Sequence, residues 1–336
     1  MPDADGTIDV LFVISPNSLL LDIAGPAEAF RIANLHRAEQ GLPARFRLRF
    51  AGPSATLKTS VGLAVAELEP LPSMLAVPTW VVVVGQPSAD VNRVTPAITS
   101  TARWLSTTLH HELQAAVPTH RLLTICSGAL LAARAGLLRQ RRCTTHHDLL
   151  DTLRRLERGA QVVENRVFVV DGPVASSAGV AAGIDLALHL IAAECGEALA
   201  AGIAETMVVY LRRSPRDPEQ SPFLGHRRHL HPLVHKVQAA ITAEPEREWD
   251  MAALAGIGHV TERHLLRLFV EHAGVSPMQC LQATRLERAR QSLEHGASVG
   301  DAAERAGFRS SLNLRRAWSR QWGGSPRDAR RFAASA

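Results

Sequence analysis

The segment TICSGALLAARAGLL, Thr124 to Leu138, ends a short apolar run on a cysteine and follows it at once with Ser127, Gly128 and an Ala/Leu-rich stretch. That order predicts a strand, a sharp turn and a helix, with the thiol of Cys126 at the bend. A bend of this kind at the carboxyl edge of a sheet exposes its side chain. It also aims the free N–H groups and positive dipole end of the helix at that spot. A thiolate there is stabilised, so the pKa of Cys126 is expected to fall. Catalysis would further require a base, an orienting acid and oxyanion donors. His146 in CTTHHD, Asp22 and Glu28 after the first apolar run, and the backbone N–H groups of Gly85 and Gln86 after another are the candidates. Taken singly, each also has an ordinary structural role: His146 at a strand end, Asp22 and Glu28 as acids at a helix start.

A second kind of chemistry lies near the carboxyl terminus. GHVTERHLLRLFVEHAGVSP, from Gly258, matches GFRSSLNLRRAWSRQWGGSP, from Gly307, at an offset of 49 residues. Each is preceded by a short Ala-rich helix (MAALAGI, DAAERAG), so each reads as helix, glycine turn and second helix. Thr261 and Ser310 are expected to cap the second helices by accepting free backbone N–H bonds. Leu265, Leu268 and Phe269 share one face of the first unit; Leu314, Ala317 and Trp318 share the matching face of the second. The opposite faces carry Arg263, Leu266 and Arg267, and then Ser311, Asn313, Arg315 and Arg316. Arginine pairs bidentately with guanine in the major groove, and asparagine with adenine. Leu312, also on the second reading helix, faces either a thymine methyl or nothing. Gly274 and Gly323 end the two helices, and SPMQCLQATRLERARQSLEHG is long enough to be one helix joining the units. That places the two reading helices in successive major grooves, about 34 Å apart.

Around the thiol, strand and helix patterns alternate over the first two hundred residues. IDVLFVI (8–14) and WVVVVG (80–85) read as buried strands, the second as a central parallel one. RFRLRF (45–50) reads as a half-exposed strand. The helix after the first strand is expected to place Pro26 in its first turn, and another follows near 97–115. VENRVFVVDG (163–172) reads as a hairpin turning at Asn165-Arg166, SSAGVAAGIDLALHLIAAE (176–194) as a helix, and a last helix runs from about Glu197 to Leu211. The alternation implies a parallel sheet with helices on both faces. Prolines and charges break the pattern at 212–232, and residues 233–333 read as short amphipathic helices.

Charge follows the same division. The net charge is +5, yet from Arg305 onward eight arginines face one acid, Asp328, while residues 1–230 are nearly neutral. A basic end on a neutral body points to an anionic polymer. Cys126, Cys143, Cys195 and Cys280 have no paired or zinc-like spacing, and no signal peptide or membrane-length apolar run is evident. Neither metal nor cofactor is expected, membrane association is not expected, and the protein reads as cytoplasmic with reduced thiols.

Residues 233–333 resemble the DNA-binding domain of the AraC/XylS-family transcription regulators, on RLFVEHAGVSP, RLERARQSL, GFRSS and WGGSPRDARRF. The first domain, about 7–211, resembles the PfpI-like branch of the class I glutamine amidotransferase-like superfamily, on LDIAGPAEAF, TICSGALLAARAGLL, TTHH and SSAGVAAGIDLALHL. The resemblance implies that Cys126 is the reactive thiol and that Asp22 is the acid that hydrogen-bonds it. Glu28 is then structural, and His146 matches a histidine found near the cysteine in some members. Protease-like members have a histidine where Ser127 stands, and true amidotransferases have a late His-x-Glu pair that is missing here. The pairing of the two domains is similar to a group of bacterial regulators that respond to small nitrogenous metabolites.

The expectation is an α/β flavodoxin-like parallel-sheet sandwich (residues 1–212), a linker (213–232), and an all-α domain with two helix-turn-helix motifs joined by a long helix (233–336). The resemblance makes the protein a DNA-binding regulator without enzyme activity, dimeric through its first domain and located on the bacterial nucleoid when bound to double-stranded DNA. It would engage RNA polymerase if it is an activator, the expected output. Asp22, Gly85, Cys126, Ser127, His146 and Ser176 would line the pocket for a small-molecule effector. The alternatives are a cysteine-dependent hydratase or glyoxalase-like enzyme, and an oxidant sensor, at Cys126.

Overall fold

The computed structural model describes residues 6–90, 93–179, 181–209, 213–215, 219, 229, 231–294, 296–322 and 324–327. The segment 213–232 read as a linker lies largely outside them, as does Gly323. The chain divides into two units, Met1–Glu219 and Gln220–Ala336.

In the first unit, β1 (Ile8–Val13) leads to α1 (Leu20–Glu39), β2 (Phe46–Gly52), the short strands β3 (Leu57–Lys58), β4 (Ala64–Val65) and β5 (Glu69–Pro70), and then β6 (Thr79–Val83). The helix α2 (Pro96–Leu109), β7 (Arg121–Ile125), α3 (Gly128–Arg134), β8 (Arg142–Cys143), α4 (Leu150–Leu156) and β9 (Gln161–Val162) follow. The unit closes with β10 (Phe168–Asp171), β11 (Val174–Ser177), α5 (Ala182–Cys195) and α6 (Glu197–Thr206). Seven strands form one sheet in the order β10-β11-β7-β6-β1-β2-β5. Every neighbouring pair is parallel except β10 with β11. The chain winds outward from β1 to β2, then returns through β6 on the other side. That reversal defines the flavodoxin-like topology and puts a crevice at the carboxyl ends of β1 and β6.

The strand sequences explain the layering. IDVLFV and TWVVV are buried throughout, as strands covered on both faces must be. Val10, Phe12, Trp80 and Val82 point to one side, under α1, α5 and α6. Val13, Val81 and Val83 point to the other, under α2, α3 and α4. The period-two alternation of a pleated strand therefore feeds two separate cores.

Three local readings differ from expectation. Pro26 lies inside α1, which starts at Leu20. Its missing N–H leaves the backbone carbonyl of Asp22 without the usual helical donor. The hairpin is β10–β11, turning after Asp171 instead of at Asn165-Arg166; Gly172 takes a positive φ of 59° there. The Ser-Ser-Ala segment read as helix start supplies the end of β11, and α5 begins only at Ala182. Small residues suit a buried central strand as well as a helix entry, so composition did not separate the two.

The second unit is helical: α7 (Pro232–Ala243), α8 (Met251–Ile257), α9 (Glu262–Ala273), α10 (Pro277–Glu294), α11 (Val299–Arg305) and α12 (Ser311–Trp322). It has two cores. One gathers Val237, Ile241, Leu254, Leu265 and Phe269; the other gathers Val299, Ala302, Leu314 and Trp318. The long helix α10 serves both, with Cys280 and Leu281 in the first and Leu286, Ala289 and Leu293 in the second. On the same helix Arg290 donates to both carboxylate oxygens of Glu287, at 2.6 and 3.0 Å, in a buried pair.

Candidate functional site at the cysteine bend and the nucleic-acid interface

Cys126 stands between β7 and α3 with φ of 53°. The left-handed region is costly for a residue with a Cβ, so the surroundings must hold it there. They do so through the backbone. Cys126 N–H donates to the Ser177 carbonyl at 3.0 Å, and the Cys126 carbonyl accepts the Thr145 hydroxyl at 2.8 Å. Gly128 completes the bend, since a Cβ there would lie 2.1 Å from the Val83 carbonyl oxygen.

The bend closes over its side chain instead of exposing it: Cys126 is 5% exposed and Asp22 0%. Asp22, in the first turn of α1, accepts the Gly85 N–H on Oδ2 at 3.0 Å. Its Oδ1 is buried with no hydrogen-bond partner among the described residues. A Cβ on Gly85 would lie 2.6 Å from Asp22 Oδ2, 2.9 Å from Cys126 Cβ and 3.0 Å from Ser127 N. The acid, the thiol and the start of the turn therefore converge on the one residue without a side chain.

This packing reverses the expected electrostatics. Burial pushes the Cys126 thiol up to about 12, and the nearby Asp22 carboxyl adds to the rise. The Ser127 backbone N–H works in the opposite direction and does not outweigh them. Burial likewise pushes the Asp22 carboxyl up to about 7, against the Gly85 hydrogen bond that favours its charged form. At neutral pH the thiol is protonated, so the arrangement stores hydrogen-bonding capacity and lacks a ready nucleophile.

The expected oxyanion donors are also spent. Gly85 N–H goes to Asp22, and Gln86 N–H goes to Ser127 Oγ at 2.6 Å. The Ser127 hydroxyl returns a bond to the Gln86 carbonyl at 2.7 Å. Ser127 thus ties α3 to the loop after β6, beside a cavity of about 20 Å³ lined by Ser15, Gln86, Leu130 and Arg134 among others. That is room for about one water molecule. Ser176, fully buried in β11, accepts the Thr144 N–H at 2.9 Å.

His146 lies further out, its side chain 29% exposed. Its ring packs on His147 with centroids 4.1 Å apart, and its Nδ1 accepts the Asp148 N–H at 3.4 Å. His146, His147 and Asp148 bring one donor atom each within 4.8 Å of one another, the one such group among the described residues. Asp148 lies 3.5 Å from His146 and 3.4 Å from His147, and Glu219 lies 2.9 Å from His147. Glu219 therefore already serves the His147 ring. Glu28 pairs with Arg31 on the surface, at 2.7 Å, as a structural residue.

The structure thus joins Asp22, Gly85, Cys126 and Ser127, sets Ser176 behind them, and leaves His146 at the rim. Sequence reasoning missed the hydroxyls. Thr145 holds the Cys126 carbonyl, and Thr124, Thr144 and Ser177 each bury an oxygen with no partner among the described residues. The motifs TTHH and SSAG contain three of these four.

The helical unit is built in the opposite sense. Thr261 Oγ1 accepts the His264 N–H, and Ser310 Oγ accepts the Asn313 N–H, each at 3.2 Å. These caps fix where α9 and α12 begin. The cap and the buried Leu265–Phe269 and Leu314–Trp318 pairs orient each helix. Arg263, Leu266, Arg267, Asn313, Arg315 and Arg316 are exposed, and Ser311 is half-buried. Arg267 faces Glu271 at 3.6 Å. Arg315 and Arg316 have no side-chain partner among the described residues. Every guanidinium expected to read DNA is available at the surface.

Comparison with known proteins agrees with both halves. A helix-turn-helix domain family matches residues 254–331, and the DJ-1/PfpI family matches residues 106–193. The chain is 32% identical over 212 residues to the HTH-type transcriptional regulator GbdR of Pseudomonas aeruginosa, covering 62% of this chain and 57% of that one. The match therefore spans little more than half the length of that relative. It is 28% identical to the HTH-type transcriptional regulator GlxA of Rhizobium meliloti, over 96% of both chains. The structure of an AraC family transcriptional regulator from Pseudomonas putida, 19% identical, aligns with a TM-score of 0.50 over 60% of this chain and all of that one, a likeness of fold. The chain therefore carries a DJ-1/PfpI domain followed by an AraC-type helix-turn-helix domain, and the relatives it is similar to are HTH-type transcriptional regulators.

Proposed function

We propose that the protein is a sequence-specific DNA-binding transcription regulator, an activator that engages RNA polymerase, without enzyme activity of its own. The observation that carries this reading is the pair of capped, exposed, arginine-bearing helices on a repeated frame. The full-length similarity to GlxA supports it. Residues 1–212 serve as effector and dimerisation domain, 213–232 as linker and 233–336 as DNA-binding domain, in the bacterial cytoplasm and on its nucleoid. Among the described residues no helix is long and apolar enough to cross a membrane.

The effector is a small, nitrogenous metabolite held at the carboxyl edge of the sheet. Asp22, Gly85, Cys126, Ser127, His146 and Ser176 form or flank the site. The partnerless Asp22 Oδ1 and the buried hydroxyls of Thr144 and Ser177 support this reading, because unsatisfied polar atoms are rare and costly in a folded interior. Binding shifts the arrangement of the DNA-binding domains only as far as the effector prefers one arrangement over another. The test is a band-shift titration over a range of salt. Arg316→Ala and Arg267→Ala should each weaken specific binding about tenfold or more, and unchanged affinity in both variants refutes the reading. The hydratase alternative predicts turnover of isonitriles or ketoaldehydes that Cys126→Ala abolishes; the protonated thiol speaks against it.

A further inference from the structure

We propose that α9 reads the C5-methyl groups of thymine through Leu266 and Val270, while α12 supplies the cationic grip. The inference rests on the DNA-binding reading above and deepens it by assigning base chemistry to each helix.

The two helices share a frame and present different surfaces. At the repeat offset, Arg263, Leu266, Arg267 and Val270 of α9 correspond to Leu312, Arg315, Arg316 and Ser319 of α12. Only the pair Arg267 and Arg316 is kept. In α9 the acids Glu262 and Glu271 balance Arg263 and Arg267, whereas α12 carries Arg315, Arg316 and Arg320 and no acid. Glu271 stands where the second helix has Arg320, and it faces Arg267 at 3.6 Å. The phosphate backbone is therefore attracted chiefly to α12.

The apolar surface of α9 is the second observation. Leu266 is 42% exposed and Val270 55% exposed. Four residues apart, they are neighbours on one helical face. They lie opposite the buried Leu265, Leu268 and Phe269 and take no part in the core. Arg263 and Arg267 share that face beside them. In the major groove the apolar group that a base pair offers is the thymine methyl, and guanine is the base that pairs bidentately with arginine. An aliphatic pair set beside guanidinium groups therefore fits thymines beside guanines. On α12 the exposed aliphatic side chain is Leu312, one turn nearer the helix start than the position of Leu266. The two halves of the bound element then differ in sequence, and the element has a direction.

The test starts from a duplex that the full chain enriches from a random pool. Each thymine of that duplex is replaced singly by deoxyuridine, which pairs identically and lacks only the methyl. Affinity of the wild-type chain should fall about fourfold at each contacted position, the equivalent of ~0.8 kcal/mol for one buried carbon. Leu266→Ala or Val270→Ala should then bind the thymine and deoxyuridine duplexes equally at that position. Arg316→Ala should weaken both duplexes by one common factor and leave their ratio intact. The proposal is overturned if no deoxyuridine position changes wild-type affinity by about twofold or more, or if the penalty persists in both aliphatic variants. A pool that yields no enriched sequence overturns sequence-specific binding itself, and the methyl reading with it.

Discussion

The cysteine bend and the reading helices use similar local devices to opposite ends. Both place a short turn ahead of a helix and fix it with hydroxyl hydrogen bonds. At the bend the polar groups turn inward: Asp22, Cys126 and Ser176 are 0–5% exposed. On α9 and α12 the polar groups turn outward and the apolar faces are the ones buried. The difference shows that a motif's chemistry depends on what covers it. A thiol at a helix start is activated when water and cations reach it. Here Gly85 and α1 close over it, and desolvation decides the outcome.

That comparison can be broken from either side. The largest effect is expected at the open end. Arg315→Ala with Arg316→Ala should cost about 2–6 kcal/mol of DNA affinity, from about 1–3 kcal/mol for each arginine removed. A titration that shows less than tenfold loss would mean that these side chains are merely solvated.

Asp22→Asn probes the closed end. Because the folded carboxyl is raised to about 7 from an ordinary 3.8, folding takes up a proton between those values. Stability from this group is fully present below pH 3.8 and is lost as pH rises through 7. Three units correspond to about 4 kcal/mol. The amide cannot ionise, so Asp22→Asn should be more stable than wild type at pH 8 by up to that amount, with little difference at pH 4. Parallel denaturant curves at both pH values would show whether the gap opens with rising pH; a constant gap would contradict the buried, raised acid.

Gly85→Ala should destabilise the first unit by about 1–3 kcal/mol, the usual cost of overpacking. Its methyl would meet Asp22, Cys126 and the Ser127 backbone at 3.0 Å or less. A thermal melt at unchanged midpoint would show that the site has more room than the packing indicates. The smallest effect belongs to Glu271→Gln. Releasing Arg267 from an exposed pair should strengthen DNA binding by less than about 1 kcal/mol, and added salt should erase the gain. A loss of affinity instead would make Glu271 itself a reader, for example of a cytosine amino group.

Much of this was legible in the residues. The offset repeat gave both caps and both buried faces, because helix periodicity and capping are local properties read within a few residues. The apolar run before Cys126 and the Ser-Gly after it likewise gave the strand, the turn and the helix. Pro26 misled because a proline fits both a first turn and a tolerated interior position, and packing against Gly183 of α5 chose the latter. Ser176 misled because small residues serve a central strand and a helix entry equally.

Order and periodicity were written in the residues: alternating strand and helix, then a duplicated pair of helices whose polar and apolar faces were already assigned by spacing. The state of the cysteine was settled by packing in three dimensions. Its burial depends on Asp22, Gly85 and Ser177, which are distant along the chain and meet because β1, β6, β7 and β11 end at one edge of the sheet. A pKa is set by solvent and charge in three dimensions, so no spacing along the chain could reveal that the thiol keeps its proton.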